Sequence, residues 1–300
     1  MNLIVILGPT ASGKTKMAAH VAATIGSEII SADSRQVYRG MDIGTGKDYD
    51  DFTMHGNKIP YHLIDIAEPG GKYNVFQYQQ DFFRVFEAIR KKNKIPILCG
   101  GTGMYIDAVL RGYKLINVPV NQALRNKLQG KSPEELEQIL KKYKTPHNQS
   151  DTDTKKRAVR AIEIADYYAK HPGYDIELPK IRPLITGVDI SREARRKRIT
   201  ERLHQRLEEG LVEEARRLHK NGLSIDDMMY YGLEYKFLAL YLSGQISYSD
   251  MVSKLNIAIH QFAKRQMTWF RKMEKDGHQI HWIDFAFSNA EKTNKVLGLL

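Results

Sequence analysis

The segment Gly8-Pro9-Thr10-Ala11-Ser12-Gly13-Lys14-Thr15 constrains this chain more than any other. It follows an apolar run, residues 3–7, and precedes a stretch with helical spacing, residues 16–25. A G-x-x-x-x-G-K-[ST] sequence between a strand and a helix is a phosphate-binding loop. Its glycines let the backbone bend closely around an anion. Its amides and the following helix N-terminus point at phosphate oxygens. Lys14 adds a mobile positive charge, and the Thr15 hydroxyl can ligate Mg²⁺. The pattern calls for a diphosphate or triphosphate, and leaves open which molecule carries it and whether ATP is consumed.

The rest of the first third alternates strand and helix. Residues 28–33 read as a buried strand with a polar end, followed by a polar, Gly-rich loop over 34–51. Residues 61–66 read as a short strand, 75–92 as an amphipathic helix with a basic end, 95–99 as a strand, and 104–110 as a helix. Repeated β-α units make a parallel sheet whose ligands bind beyond the carboxyl ends of the strands. Gly8, Asp33 and Gly100 fall at such ends and are expected to converge.

At Asn117 the texture becomes polar, Lys-rich and helical, with helices expected over 119–128, 132–143 and 154–168, the last stopped by His171-Pro172-Gly173. Strand character resumes over 184–190. Two long helices follow, over 191–220 and 248–275, with a last strand over 278–284. The expected fold is α/β: a P-loop NTPase-like parallel sheet flanked by helices (1–116 and 184–300), with a helical insertion domain (117–183).

Charge narrows the partner. Lys and Arg number 46 against 35 Asp and Glu, a formal charge of +11 that favours a polyanion. The single cysteine, Cys99, rules out an intrachain disulfide and a Cys-rich zinc site, and its apolar neighbours mark it as a small core residue. No apolar stretch is long enough to span a bilayer. The first strand lacks a basic leader, so the chain reads as cytoplasmic. The histidines show no metal-ligand spacing.

Asp33, at a strand end facing the loop, has three roles open to it: binding Mg²⁺ through water, acting as a general base, or capping a helix. Thr10 can donate to a phosphate or to a bridging oxygen. Thr102 can do the same or serve as an N-cap. Arg192, Arg195, Arg196, Lys197, Arg198 and Arg202 crowd one helix, and Lys264, Arg265, Arg271 and Lys272 another, a candidate nucleic-acid surface. Tyr230 and Tyr231 read as packing residues that, if exposed, could stack on bases.

The chain resembles the bacterial tRNA dimethylallyltransferase family, also called tRNA isopentenyltransferases. The resemblance rests on GPTASGKT at Gly8, SADSRQVYRGMDIGTGK at Ser31, YHLIDIAEP at Tyr61, PILCGGTGMY at Pro96, RAVRAIE at Arg157, GQISYSDMV at Gly244 and AKRQMTWFR at Ala263. It implies transfer of a dimethylallyl group from dimethylallyl diphosphate to N6 of the tRNA adenosine 3′ of the anticodon. The loop Gly8 to Thr15 would hold the diphosphate with Mg²⁺, Thr10 would assist, and Asp33 would be the general base. Ser34, Arg35 and Gln36 match the adenine-contacting segment. Thr102 and Arg125 match positions at tRNA or the prenyl channel, and Arg157 and Arg160 a tRNA-contacting helix. A monomer is expected.

Two stretches depart from the family pattern. Gly232-Leu233-Glu234-Tyr235-Lys236 stands where Gly-Tyr-Lys/Arg is usual, and Ile259-His260 where Thr-Arg is usual. Asp151-Thr152-Asp153 also replaces a usual Asn-containing spacing. The alternatives are a dimethylallyltransferase acting on free adenylate, a P-loop small-molecule kinase, and a non-catalytic RNA-binding protein.

Overall fold

The computed structural model of the chain describes residues 1–54, 56–143, 152–171 and 177–300. The Pro172-Gly173 helix stop and Asp151 lie outside these residues. The chain forms two compact units, Met1–Tyr113 with Pro179–Leu300, and Lys114–Leu178. Hydrogen bonds explain these bounds beside the 117–183 read from composition. Gln79 Nε2 donates to the Tyr113 carbonyl, and the Asn2 side chain bonds Lys180 and Arg182 backbone, so both flanks are held by the larger unit.

The larger unit is built on a six-stranded sheet of β1 (Leu3–Leu7), β2 (Ile29–Ala32), β5 (Tyr61–His62), β6 (Ile97–Gly100), β7 (Pro183–Asp189) and β8 (Ile280–Asp284). Its order is β5-β2-β6-β1-β7-β8, and every pairing is parallel. Burial on both faces explains the near-continuous apolar strands. A two-stranded antiparallel pair, β3 (Thr53–Met54) and β4 (Asn57–Lys58), lies outside it. One sheet face packs Ile4, Ile6 and Ile97 against α1 (Lys14–Ile25) and α12 (Asn289–Leu297) through Met17, Val21 and Val296. Further helices are α2 (Val75–Lys91), opened by an Asn74–Gln77 capping box, and α3 (Gly103–Leu110).

The strand expected over 61–66 stops at His62. Leu63 and Asp65 take left-handed backbone (φ 62° and 57°), which ends pairing and turns the chain toward a bridge between Ala67 and Tyr38. The helix expected over 191–220 is two, α7 (Arg192–Glu208) and α8 (Leu211–Lys220), because Gly210 sits at φ 98° between them. A short α9 (Ile225–Met228) and α10 (Leu233–Leu242) precede α11 (Tyr248–Lys275). Helices α7, α8, α10 and α11 close on Tyr38, Met41, Leu203, Tyr235 and Leu255, a second core that also takes in Ala11 of the phosphate loop.

The smaller unit contains α4 (Gln122–Leu128), α5 (Pro133–Tyr143) and α6 (Lys155–Lys170) around Leu128, Leu136, Leu140, Ala158 and Ile162.

Candidate active site

Three strand ends meet where the pattern places them. Gly100 is in register with Leu7 on one side and with Ala32 on the other, so the loop after β1, Asp33 after β2 and the Gly101–Thr102 turn after β6 are neighbours. In the loop, Ala11 and Gly13 take left-handed backbone (φ 62° and 77°), a conformation that turns amides toward one concavity. The Ser12 hydroxyl is buried there with no hydrogen-bond partner among the described residues. A Cβ on Gly8 would stand 2.7 Å from it, so the floor of the loop admits no side chain at that point.

Lys14 opens α1, with Nζ 3.5 Å from the Pro9 carbonyl. Burial of the ammonium holds its pKa below the ordinary lysine value, and the charge of Asp33 works against that shift. Cys99 is buried as expected. Its thiol donates to the Lys14 carbonyl at 3.7 Å, and burial pushes its pKa up to about 12. Thr15, the next residue of α1, is the side chain that would hold Mg²⁺. Among the described residues no group of three acidic, His or Cys side chains could cage a metal. A cation at Thr15 would therefore draw its other ligands from phosphate oxygens and water, as Mg²⁺ at such loops does.

Helix α11 fastens the loop. Gln266 is buried, its Oε1 accepts the Thr10 N–H at 2.8 Å, and its Nε2 donates to the Gly101 carbonyl at 2.9 Å. Nothing singled out Gln266 in the sequence, yet a signal exists. The buried positions of α11 are Met251, Leu255, Ile259, Ala263, Gln266, Phe270 and Met273, so a glutamine stands on an apolar stripe. From α7, Arg198 Nε donates to the Ala11 carbonyl at 2.9 Å, so this member of the basic cluster braces the loop.

Asp33 is held by its own turn. Its Oδ1 accepts the Arg35 N–H at 2.9 Å, an Asx-type turn that caps no helix and leaves Oδ2 without a donor among the described residues. Thr102 supplies no side-chain cap to α3. Its Oγ1 instead accepts the Ser34 N–H at 3.0 Å, tying the Asp33 segment to the end of β6. Gln36 is spent on protein: Nε2 donates to the Gly46 carbonyl at 2.9 Å, and Oε1 accepts from the Ser31 hydroxyl at 3.2 Å. Arg35 lies 5.4 Å from the ring centre of Tyr230, whose ring is also approached by Lys72. Tyr230 is 38% exposed, whereas Tyr231 is buried and bonds the backbone of Gly70 and Gly71.

The Gly-rich loop after Asp33 is fixed by buried charge. Lys47 Nζ reaches the Tyr38 carbonyl at 2.5 Å, Asp42 at 2.9 Å and Asp65. Glu214 accepts the amides of Asp42, Ile43 and Gly44 and the Tyr235 hydroxyl. Arg202 pairs with Asp48 at the end of this loop, and both lie close enough to Lys14 to act on its charge. Of the departing segments, Gly232 is at φ 121° beside Arg35, and Glu234 is half-buried. Ile259 is core, and His260 Nε2 lies 3.3 Å from the Thr200 hydroxyl.

In the smaller unit, Arg125 and Arg160 share one acid. Glu163 takes Nε and Nη2 of Arg125 at 3.0 and 2.9 Å, Nη1 of Arg160, and the Asn121 N–H at 2.6 Å. Arg157 is exposed, and among the described residues its side chain makes only a 3.5 Å contact with Asp153. In the larger unit Arg192, Arg195, Arg196 and Arg271 have no acidic partner among the described residues. Burial, then Arg271 and Arg192, lower the Arg195 pKa, so these cations are close neighbours.

A phosphate loop heading a parallel sheet, with a carboxylate at the adjoining strand end, defines a P-loop-type α/β protein. The IPP transferase family model matches residues 36–273. The chain is 60% identical over 295 residues to tRNA dimethylallyltransferase 2 of Bacteroides fragilis, covering 98% of this chain and 96% of that one. It is 58% identical over 299 residues to tRNA dimethylallyltransferase 1 of Parabacteroides distasonis, covering 100% and 97%. The solved full-length tRNA isopentenylpyrophosphate transferase of Bacillus halodurans superposes with a TM-score of 0.72 at 29% identity, over 99% of this chain and 95% of that one. A eukaryotic dimethylallyltransferase acting on tRNA shares the fold, with a TM-score of 0.76 at 19% identity, over 99% and 79%. The chain belongs to the IPP transferase family. No helix among the described residues is long and apolar enough to cross a membrane.

Proposed function

We propose that this chain transfers a dimethylallyl group from dimethylallyl diphosphate to N6 of the adenosine 3′ of the anticodon in tRNA, working as a monomer with Mg²⁺. The observation that carries this reading is the register of Gly100 with both Leu7 and Ala32, which sets a phosphate loop and an Asp33 carboxylate side by side. N6 forms a bond to C1 of the donor as the C1–O bond breaks. The electron pair leaves with the diphosphate, and the N6 proton passes to Asp33. The adenine amine is a weak nucleophile, so holding it in line and removing its proton both lower the barrier. Loop amides, Lys14 and Arg202 neutralise the charge that grows on the departing diphosphate. The Thr10 hydroxyl would donate to the bridging oxygen. Mg²⁺ held by Thr15 and phosphate oxygens would add to that neutralisation.

The base leaves its stack to reach Asp33, where Ser34, Arg35, Gln36 and Thr102 form the adjoining wall, and the exposed ring of Tyr230 offers a stacking face. In the smaller unit Arg125, Arg157 and Arg160 offer contacts to tRNA; in the larger unit the arginines of α7 and α11 that have no acidic partner among the described residues do the same. Asp33→Asn is expected to lower turnover by roughly 10² to 10⁴ while stem-loop affinity stays near wild type. Wild-type turnover in that variant would contradict the assignment of the base.

A further inference from the structure

Two arginines of α7 meet above the loop that follows Asp33. The Nη2 atoms of Arg202 and Arg206 both press on Gly46, where any Cβ would overlap them. Asp48 lies between the two: it pairs with Arg202 through one oxygen, and its other oxygen is 3.8 Å from Arg206 Nη2, beyond hydrogen-bond reach. The Arg206 side chain is only 11% exposed, and its Nη2 is buried with no hydrogen-bond partner among the described residues. Burial brings its pKa down to about 10, with Arg202 adding to the effect. Two further acids, Glu234 and Glu209, are near enough to act on its charge; Glu234 is half-buried, and desolvation raises its pKa.

An unmade hydrogen bond on a buried guanidinium is costly. It is retained where an arriving anion completes it. The anion is identified by its surroundings: Arg202 and Asp48 both act on the Lys14 charge, and Arg206 adjoins the same carboxylate and the same glycine as Arg202. Planar guanidinium forks suit phosphate oxygens.

We propose that Arg206 is a diphosphate-binding residue, its free Nη2 taking a phosphate oxygen, and that Asp48 occupies the arginine pair until the phosphate displaces it. The assignment rests on the prenyl-diphosphate reading above and adds to it a residue and a competing carboxylate.

The test is equilibrium binding of inorganic diphosphate, together with steady-state transfer, for wild type, R206M, R206K and D48N. R206M is expected to weaken diphosphate binding and raise KM for dimethylallyl diphosphate by about tenfold or more, leaving KM for the RNA unchanged. R206K is expected to recover part of that loss, because a cation returns without the fork. D48N is expected to bind diphosphate more tightly than wild type. Wild-type diphosphate affinity in R206M overturns the assignment alone. If R206M does not fold, D48N decides: weaker or unchanged binding overturns the proposal. Absence of diphosphate binding by the wild-type chain overturns both this assignment and the reading beneath it.

Discussion

Gln266 joins Thr10 to the Gly101 turn: one amide side chain accepts the N–H of the phosphate loop and donates to the carbonyl after β6. A Cβ on Gly101 would collide with that amide, so the glycine is what lets α11 reach the site. Gln266→Leu keeps the volume and removes both bonds, leaving a buried N–H and C=O unpaired at about 1–3 kcal/mol each. We expect kcat to fall by roughly 10²-fold through misplacement of Thr10, with little change in RNA affinity. Parallel measurement of kcat and stem-loop binding checks this, and equal losses in both would point to general disruption of the fold.

Glu163 organises the smaller unit. Burial alone would raise its pKa, but hydrogen bonds from Arg125, Arg160 and the Asn121 amide outweigh that and bring it down to about 2. A carboxylate depressed in the folded state contributes stability that is fully present above its unfolded pKa and is lost as pH falls toward its folded pKa. The loss should therefore occur between about pH 4.5 and pH 2. The contribution is on the order of 3 kcal/mol. Hydrogen exchange of α4 and α6 amides across that window is expected to show selective loss of protection, and Glu163→Gln is expected to remove the pH dependence.

The fold core and half of the site were legible because their signals are local. The phosphate-loop spelling, the apolar strands and Asp33 at a strand end each sit within a few residues of what they specify. What was missed depends on partners far along the chain. The break at Gly210 lies inside an unbroken helical pattern, and one residue at φ 98° makes it. Glu214, Glu163 and Gln266 are polar residues on buried helix faces, and only the fold reveals which backbone groups they satisfy. Thr102 and Gln36 are at the expected place, yet their side chains brace the Asp33 segment.

The arginines of α7 and α11 that have no acidic partner among the described residues predict a steep salt dependence. Removing Arg195 and Arg271 together is expected to reduce the slope of log affinity against log salt by roughly 1 to 2, with turnover of bound RNA preserved. An unchanged slope would assign both residues to a solvated face.

Prenyl transfer to a tRNA adenosine falls to the paired phosphate loop and Asp33. The most direct measurement offers purified protein and Mg²⁺ three tests in parallel: dimethylallyl diphosphate with an anticodon stem-loop, the same donor with free AMP, and ATP without a prenyl donor. The expected result is a stem-loop heavier by one dimethylallyl group at the adenosine 3′ of the anticodon, with unmodified AMP and intact ATP. Prenylated AMP beside an untouched stem-loop, or ATP turnover without any transfer, would contradict it.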